Sequence, residues 1–585
     1  MTAFIADLPF GATLLDPGRT RFRLWAPSCE RVSVELADGV ALPMRAEAGG
    51  WFVAEAACGA GTRYRYRVAE DLAVPDPASR AQDGDVHGCS IVVDPVAYRW
   101  RLPDWRGRPW HETVLYELHV GAMGGFRGVA EKLPQLAELG ITAIELMPIA
   151  EFPGSRNWGY DGTLLFAPEC SYGTPEELKA LVDRAHELGL SMFLDVVYNH
   201  FGPDGNYLHA YAAPFFDPAV HTPWGASIDF ERQEVRDFFT QNALYWLNEY
   251  RFDGLRFDAV HQIFDQAWLP EMAAAVRAGV EPGRHVHLVL EHDGNAAHLL
   301  EAGFDAQWND DAHHVAHVLL TGETEHYYAA YADAPVQKLA RMLAEGFVYQ
   351  GEPLAHRPHE RRGEPSAHLP PTAFVNFLQN HDQIGNRPFG DRLAALADRQ
   401  ALRAAKALFL LAPQIPMLFM GEEGGSQAPF LFFTDHGEAL AEAIREGRRR
   451  EFAGFAAFGD PARHGSIPDP NAAETFEASR ALAGEAAELE LTRALLGVRK
   501  CYTAALPGAR SLGVDILGDA AVLARWRLGD GRVLAIAANL GPDPASIAAM
   551  QPGEIMFETP SAAAGALATG SVPARATVAW LEPAG

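Results

Sequence analysis

The feature that most constrains this chain is a series of eight short apolar segments between Val114 and Met420, separated by amphipathic stretches. The segments are Val114–His119, Ala143–Leu146, Met192–Val197, Gly254–Asp258, Val286–Leu290, Asp305–Trp308, Phe374–Leu378 and Met417–Met420. Their length suits buried strands, and the stretches between them have helical periodicity. Pro175 to Leu188 is an example, with Thr174 placed to cap its start and Gly189 to stop it. Strands alternating with helices imply parallel βαβ units, and eight of them in about 310 residues predict a (β/α)8 TIM barrel. An open doubly wound sheet would want a Gly-rich phosphate turn after its first strand. None stands there, and Gly421-Glu-Glu-Gly-Gly425 lacks the Lys-Ser/Thr that completes such a turn.

The flanks read differently. Thr20–Trp25, Arg31–Leu36 and Thr62–Val68 alternate apolar and polar residues between turn signals, which predicts a small N-terminal β-sandwich. Beyond a helix near Leu489–Arg499, Ala521–Trp526 and Val533–Asn539 flank an Asp530-Gly531 turn, a hairpin signal. A second small β-sandwich therefore closes the chain. The expected division is a sandwich at 1–98, a Trp-, Pro- and Arg-rich linker at 99–112, the barrel with trailing helices at 113–485, and a helix with the second sandwich at 486–585. The Pro/His/Arg-rich stretch Gly351–Pro371 reads as a loop, over the cleft or in solvent.

Charge narrows the partners. With 48 Lys and Arg against 76 Asp and Glu, the 585 residues carry −28 at pH 7. That excludes the basic face a duplex nucleic-acid binder needs, and argues against an anionic membrane. A neutral ligand is the natural partner. No basic, apolar leader follows Met1, and the most apolar run, Ala407–Met420, is interrupted by Pro413 and Pro416 and falls short of the about 20 residues that span a bilayer. Five scattered cysteines without CxxC spacing fit a reducing compartment, so a cytoplasmic location is expected.

In a barrel, chemistry sits at the C-terminal strand ends. There the sequence places Asp195 and His200 after the third strand, Arg256 and Asp258 on the fourth, Glu291 after the fifth, and Asn380-His381-Asp382 after the seventh. Arg256 and Asp258 are two apart, so both face the barrel mouth. Paired carboxyl groups with a positioning arginine suit glycoside hydrolysis, in which one carboxylate attacks the anomeric carbon and one carboxylic acid protonates the leaving oxygen.

These segments resemble the four signature regions of the α-amylase glycoside hydrolase family. The resemblance implies that Asp258 is the nucleophile, Glu291 the general acid/base, and Asp382 the third carboxylate, which binds sugar hydroxyls. It also implies that Asp195, His200, Arg256 and His381 line the glucosyl subsite and that Tyr160, in Asn157-Trp-Gly-Tyr-Asp161, stacks on the sugar. The front sandwich resembles the carbohydrate-binding-like domain that precedes branching and debranching enzymes. Within the family the likeness is to the branch that cleaves the α-1,4 bond next to the terminal trehalose of maltooligosyltrehalose. It rests on Asp258-Ala-Val-His261, Trp308–His314, Phe377–Arg387 and Phe432–His436. This adds His261 and Asp311 as substrate contacts and implies functional coupling to a maltooligosyltrehalose synthase. Ala312 stands where that pattern has an aromatic residue.

No cofactor and no metal are predicted. His313, His314 and His317 have ligand-like helical spacing, and Asn199 occupies the place of a calcium-binding asparagine in many amylases, but neither brings an identifiable ligand set. Two other functions compete: a 1,4-α-glucan branching enzyme, and a non-catalytic glucan-binding protein on the same fold.

Overall fold

The computed structural model describes Phe4 and residues 8–354, 357–452, 465–480 and 482–584. Most of the Met1–Asp7 segment read for a leader, and residues 453–464 of the expected barrel with trailing helices, lie outside these residues.

The eight apolar segments form a closed parallel barrel in chain order. Its strands are β1 Leu115–Leu118, β2 Ala143–Leu146, β3 Ser191–Val196, β4 Gly254–Phe257, β5 His287–Leu290, β6 Ala306–Trp308, β7 Phe374–Phe377 and β8 Ile415–Phe419. Every residue in them is buried, so neither face needs polar alternation. Inside the barrel, Leu115, Phe193, Val289, Val375 and Ile415 pack into an apolar floor beneath the polar strand ends. Trp110 packs against this floor from the expected linker and donates from Nε1 to Thr372 O at 2.7 Å. The preceding segment is tied down as well: Trp105 Nε1 donates to Asp253 Oδ1 at 2.9 Å, and Arg251 donates to the carbonyls of Leu102 and Trp105.

Local signals hold where they were specific. The helix Pro175–Glu187 has a full capping box, with Glu177 N donating to Thr174 Oγ1 and Thr174 N to Glu177 Oε2. The N-terminal strands form two sheets of alternating burial, and Phe10 packs edge-on against Phe238 of the barrel's outer layer. The C-terminal region is a five-stranded antiparallel sheet whose hairpin turns at Gly531, φ +89°. Its second layer is a two-stranded ribbon with the short helix Ala563–Leu567, around Leu523, Val578 and Trp580.

Two β-hairpins rise beside the barrel mouth. Phe216–Thr222 pairs with Gly225–Ile228 and exposes Trp224 at its turn. Glu352–Leu354 pairs with Arg357–Arg362, so the stretch read as a loop carries strand pairing. Residues 355–356 of that stretch lie outside the described residues.

Candidate active site

The parallel register sets the site. Asp195 on β3 lies directly opposite Arg256 on β4, and the ladder continues past the strands through Asp258 N to Val196 O and Glu291 N to Phe257 O, both 3.0 Å. Arg256 is fully buried, and its guanidinium gathers three carboxyl groups from three strands. Nη1 donates to Asp195 Oδ2 at 2.6 Å and to Asp258 Oδ1 at 3.0 Å, while Nη2 donates to Glu291 Oε2 at 2.9 Å. The Trp308 ring lies 4.1 Å from the guanidinium carbon and closes its other face.

Asp258 is held from its other side by Asn199, whose Nδ2 donates to Asp258 Oδ2 and to Asp258 O, each at 2.8 Å. The next residue, Ala259, has φ +38°, a left-handed backbone that costs a non-glycine residue about 1–3 kcal/mol. That bend aims Ala259 N at Glu291 Oε2, 2.7 Å away. Burial pushes the Glu291 carboxyl well above its ordinary range. Arg256 opposes this, and Asp258, Asp382 and Asp310 add to it. Burial likewise lifts Asp195 to about 6 against the pull of Arg256.

Tyr160 donates to Asp195 Oδ2 at 2.7 Å and stacks on His381 with ring centroids 5.1 Å apart. His381 forms an ion pair through Nδ1 with Glu117 Oε1 at 2.5 Å, and its backbone N donates to Glu117 Oε2. Burial opposes charge on the ring, yet Glu117 and Asp382 outweigh it and hold His381 at about 9. Asp382 is the most open of the carboxyl groups, its side chain 41% exposed, and it accepts from Asn386 Nδ2 at 3.2 Å. It lines a cleft of about 990 Å³ together with Asp310, His314, Tyr327, Gln383 and Phe389.

Seven of the ten expected residues thus meet in one web: Asp258, Glu291, Asp382, Asp195, Arg256, Tyr160 and His381. His200 belongs to the same layer, but its ring nitrogens face Asn199 Oδ1 and Tyr160 O, so it buttresses those two residues while Trp224 stacks on its face at 4.2 Å. His261 sits at the rim, its Nδ1 accepting from Asp293 N at 3.3 Å.

Asp311 does not fit the expected sugar contact. It is fully buried and spent on Asn295, Tyr331, Val348 N, Tyr349 N and Arg362. Its neighbour Asp310 faces the cleft instead, with its carboxyl raised to about 7, chiefly by burial. Helical geometry explains the exchange, because successive residues point about 100° apart and only one of the two can face the cleft. Ala312 is also fully buried.

The histidine cluster is engaged with protein groups. His313 contacts Leu378 O and Tyr328, His314 contacts Asp310 O, and His317 contacts Glu323. Asn199 directs its amide at Asp258 and its carbonyl oxygen at His200, a different arrangement from the calcium ligand weighed in the sequence. Four residues of the site escaped the sequence reading of roles: Glu117, Asn199, Asp310 and Trp224. Glu117 left a signal, since a lone acid within the buried strand Leu115–Leu118 needs a partner.

Comparison with known proteins shows the family and the domains. Residues 80–214 match the α-amylase catalytic domain, residues 9–88 match carbohydrate-binding module 48 (isoamylase N-terminal domain), and residues 509–580 match a domain of unknown function. A malto-oligosyltrehalose trehalohydrolase of Deinococcus radiodurans is 42% identical over 505 residues, 84% of this chain and 82% of the relative. A crystal structure of a candidate α-amylase from Salmonella typhimurium superposes with TM-score 0.91 at 42% identity, covering 98% of this chain and all of that one. A 1,4-α-glucan branching enzyme of Streptomyces coelicolor is 37% identical, but over 41% of this chain and 36% of the enzyme.

Proposed function

The chain belongs to the malto-oligosyltrehalose trehalohydrolase family of α-amylase-type glycoside hydrolases, and on that premise we propose that it hydrolyses the α-1,4 bond next to the terminal trehalose of maltooligosyltrehalose, releasing trehalose and a maltooligosaccharide. The observation that carries the chemistry is the single guanidinium of Arg256 bonded to both Asp258 and Glu291. Two carboxyl groups tied to one guanidinium support the short spacing of a retaining enzyme, about 5–5.5 Å, over the wider spacing that admits an inverting water.

Glu291 has its Oε2 fixed by Arg256 and Ala259, which leaves Oε1 to carry the proton that its raised pKa retains. It protonates the glycosidic oxygen as Asp258 attacks the anomeric carbon from the opposite face. The C–O bond to trehalose breaks, trehalose leaves with the proton, and the glucan stays as a β-linked ester on Asp258. Glu291, now a carboxylate, takes a proton from water, whose oxygen attacks the same carbon and displaces Asp258 with overall retention. Asp382 and His381 bind hydroxyls of the reacting glucosyl unit, and Tyr160 faces its ring. On the leaving side, Tyr327 and Phe389, 66% and 40% exposed along the cleft, offer aromatic faces to trehalose. The substrate must come from a reaction that turns the reducing-end linkage of a maltooligosaccharide into a trehalose linkage, which places a maltooligosyltrehalose synthase upstream.

The test is product identity with maltotriosyltrehalose. Trehalose plus maltotriose supports this reading. Longer or branched glucans would assign a transferase, and binding without turnover would make the protein a glucan binder.

A further inference from the structure

Glu117 lies at the centre of the site yet reaches neither the cleft nor any of the three reactive carboxyl groups. It is 1% exposed on β1, and it grips a residue 264 positions away twice, through His381 Nδ1 and His381 N. The ring it grips is fixed on its other sides. Tyr160 stacks on one face with 21° between planes, and Trp158 meets it edge-on at 5.3 Å. The Asn380 capping box fixes the backbone that carries it. The remaining nitrogen, Nε2, sits 3.6 Å from Asp382 Oδ1, on the cleft side.

We propose that Glu117 is a positioning residue of this active site: by accepting a hydrogen bond from the Nδ1–H of His381 in an ion pair, it keeps the imidazole doubly protonated and its Nε2–H directed at a hydroxyl of the reacting glucosyl unit. The inference rests on the proposed glycoside hydrolysis. A neutral imidazole whose single proton faced Glu117 would present a bare Nε2 to the sugar and to Asp382, an acceptor against an acceptor. The pairing therefore selects which nitrogen carries a proton toward substrate, much as a buried carboxylate fixes the tautomer of a catalytic histidine.

The surroundings favour Glu117 for this task over the second buried acid nearby. Glu145, on β2 beside Glu117, has both carboxyl oxygens buried without a hydrogen-bond partner, and burial, Glu117 and Asp195 hold its proton on. It contributes no counter-charge. The titratable groups facing His381 are thus Glu117 and His119 from β1, Glu145 from β2, Arg256 from β4, Tyr160 from the segment after β2, and Asp382 beside it. His119 is held neutral at about 4, chiefly by burial, and Arg256 is committed to its own three carboxyl groups. Glu117 is the counter-ion at hydrogen-bond distance from the His381 ring, while Asp382 Oδ1 stands 3.6 Å from Nε2.

A double-mutant cycle tests the proposal. Glu117→Gln preserves shape and removes charge. It is expected to lower kcat about 10- to 100-fold, the scale of a lost charged hydrogen bond, and to lower the pKa of the His381 ring, read by NMR titration, by about one unit or more. In the His381→Gln background the same change is expected to cost nothing further. Glu117→Asp keeps the carboxylate and should restore much of the His381 pKa. Thermal melts report folding, and Glu117→Ala takes the place of Glu117→Gln in the cycle if the Gln variant does not fold. Equal losses in both backgrounds, or an unmoved His381 pKa, would overturn the role of Glu117. Failure of the hydrolase reading is distinguishable, because it would appear in the unsubstituted enzyme as an absence of trehalose from maltotriosyltrehalose.

Discussion

Arg256 Nη2 donates to Glu291 Oε2 at 2.9 Å, and the Glu291 carboxyl nevertheless stays well above its ordinary range. A surface pair of this geometry would depress the acid. Here burial outweighs the guanidinium, and the anionic Asp258 claims part of the same positive charge. On the proposed roles the arginine orients the acid without deprotonating it, and one cation serves two carboxyl groups with opposite tasks.

Replacing Arg256 by Met should therefore do two things at once. Three carboxyl groups lose their shared counter-ion, which costs about 3–5 kcal/mol for a broken buried pair. The lost orientation of acid and nucleophile should lower kcat by about 100- to 1000-fold or more. Thermal melts and kcat measured on the same sample check both. A variant as stable as the parent would show that the cluster balances its charge without Arg256.

On the proposed mechanism Glu291 holds a proton in the free enzyme, so kcat/KM should fall as pH rises through its raised pKa. Asp310 is among the groups that raise it. Asp310→Asn removes that negative charge, lowers the Glu291 pKa, and should move the alkaline limb to lower pH. A limb that moves upward would contradict the assignment.

Asp311 predicts the opposite pattern to Asp310. Its fully buried carboxylate is closed among five partners, including Arg362. Asp311→Asn should lower the melting temperature, at about 3 kcal/mol for unpairing a buried arginine, and leave kcat within a few-fold of the parent. Kinetic loss without destabilisation would return Asp311 to the cleft.

Acid should weaken the fold through His119. Ala122 N donates to its Nδ1 and its Nε2 meets Asn157 O, so the buried ring is neutral, and burial first of all holds it at about 4. The folded state binds this proton less well than the unfolded chain, near 6.5, so the contribution is complete above pH 6.5 and lost as pH falls toward 4, reaching about 3 kcal/mol. Denaturant titrations at pH 7, 5.5 and 4 should show a shallower decline in His119→Gln.

The barrel was legible because each strand is buried on both faces and so reads as an unbroken apolar run, and because Arg256 and Asp258 share a face by simple two-residue alternation. Roles that depend on neighbours from distant segments were not. Glu117 acquires its meaning from His381, 264 residues later, and Asn199 from Asp258 on the adjacent strand. Asp310 and Asp311 are chemically equivalent in the sequence. Only the rotation of their helix against the Arg362 hairpin decides which of them meets the cleft. The hairpin carrying Trp224 lacked a tight Asn-Gly or Asp-Gly turn signal to announce it.

The central claim is double displacement through Asp258, and the anomeric form of the released sugar tests it most directly. Proton NMR during the first minutes with maltotriosyltrehalose should show trehalose and α-maltotriose, the β-anomer growing only at the rate of mutarotation, with both products abolished in Asp258→Asn. Initial β-maltotriose, or retained turnover in Asp258→Asn, would contradict it.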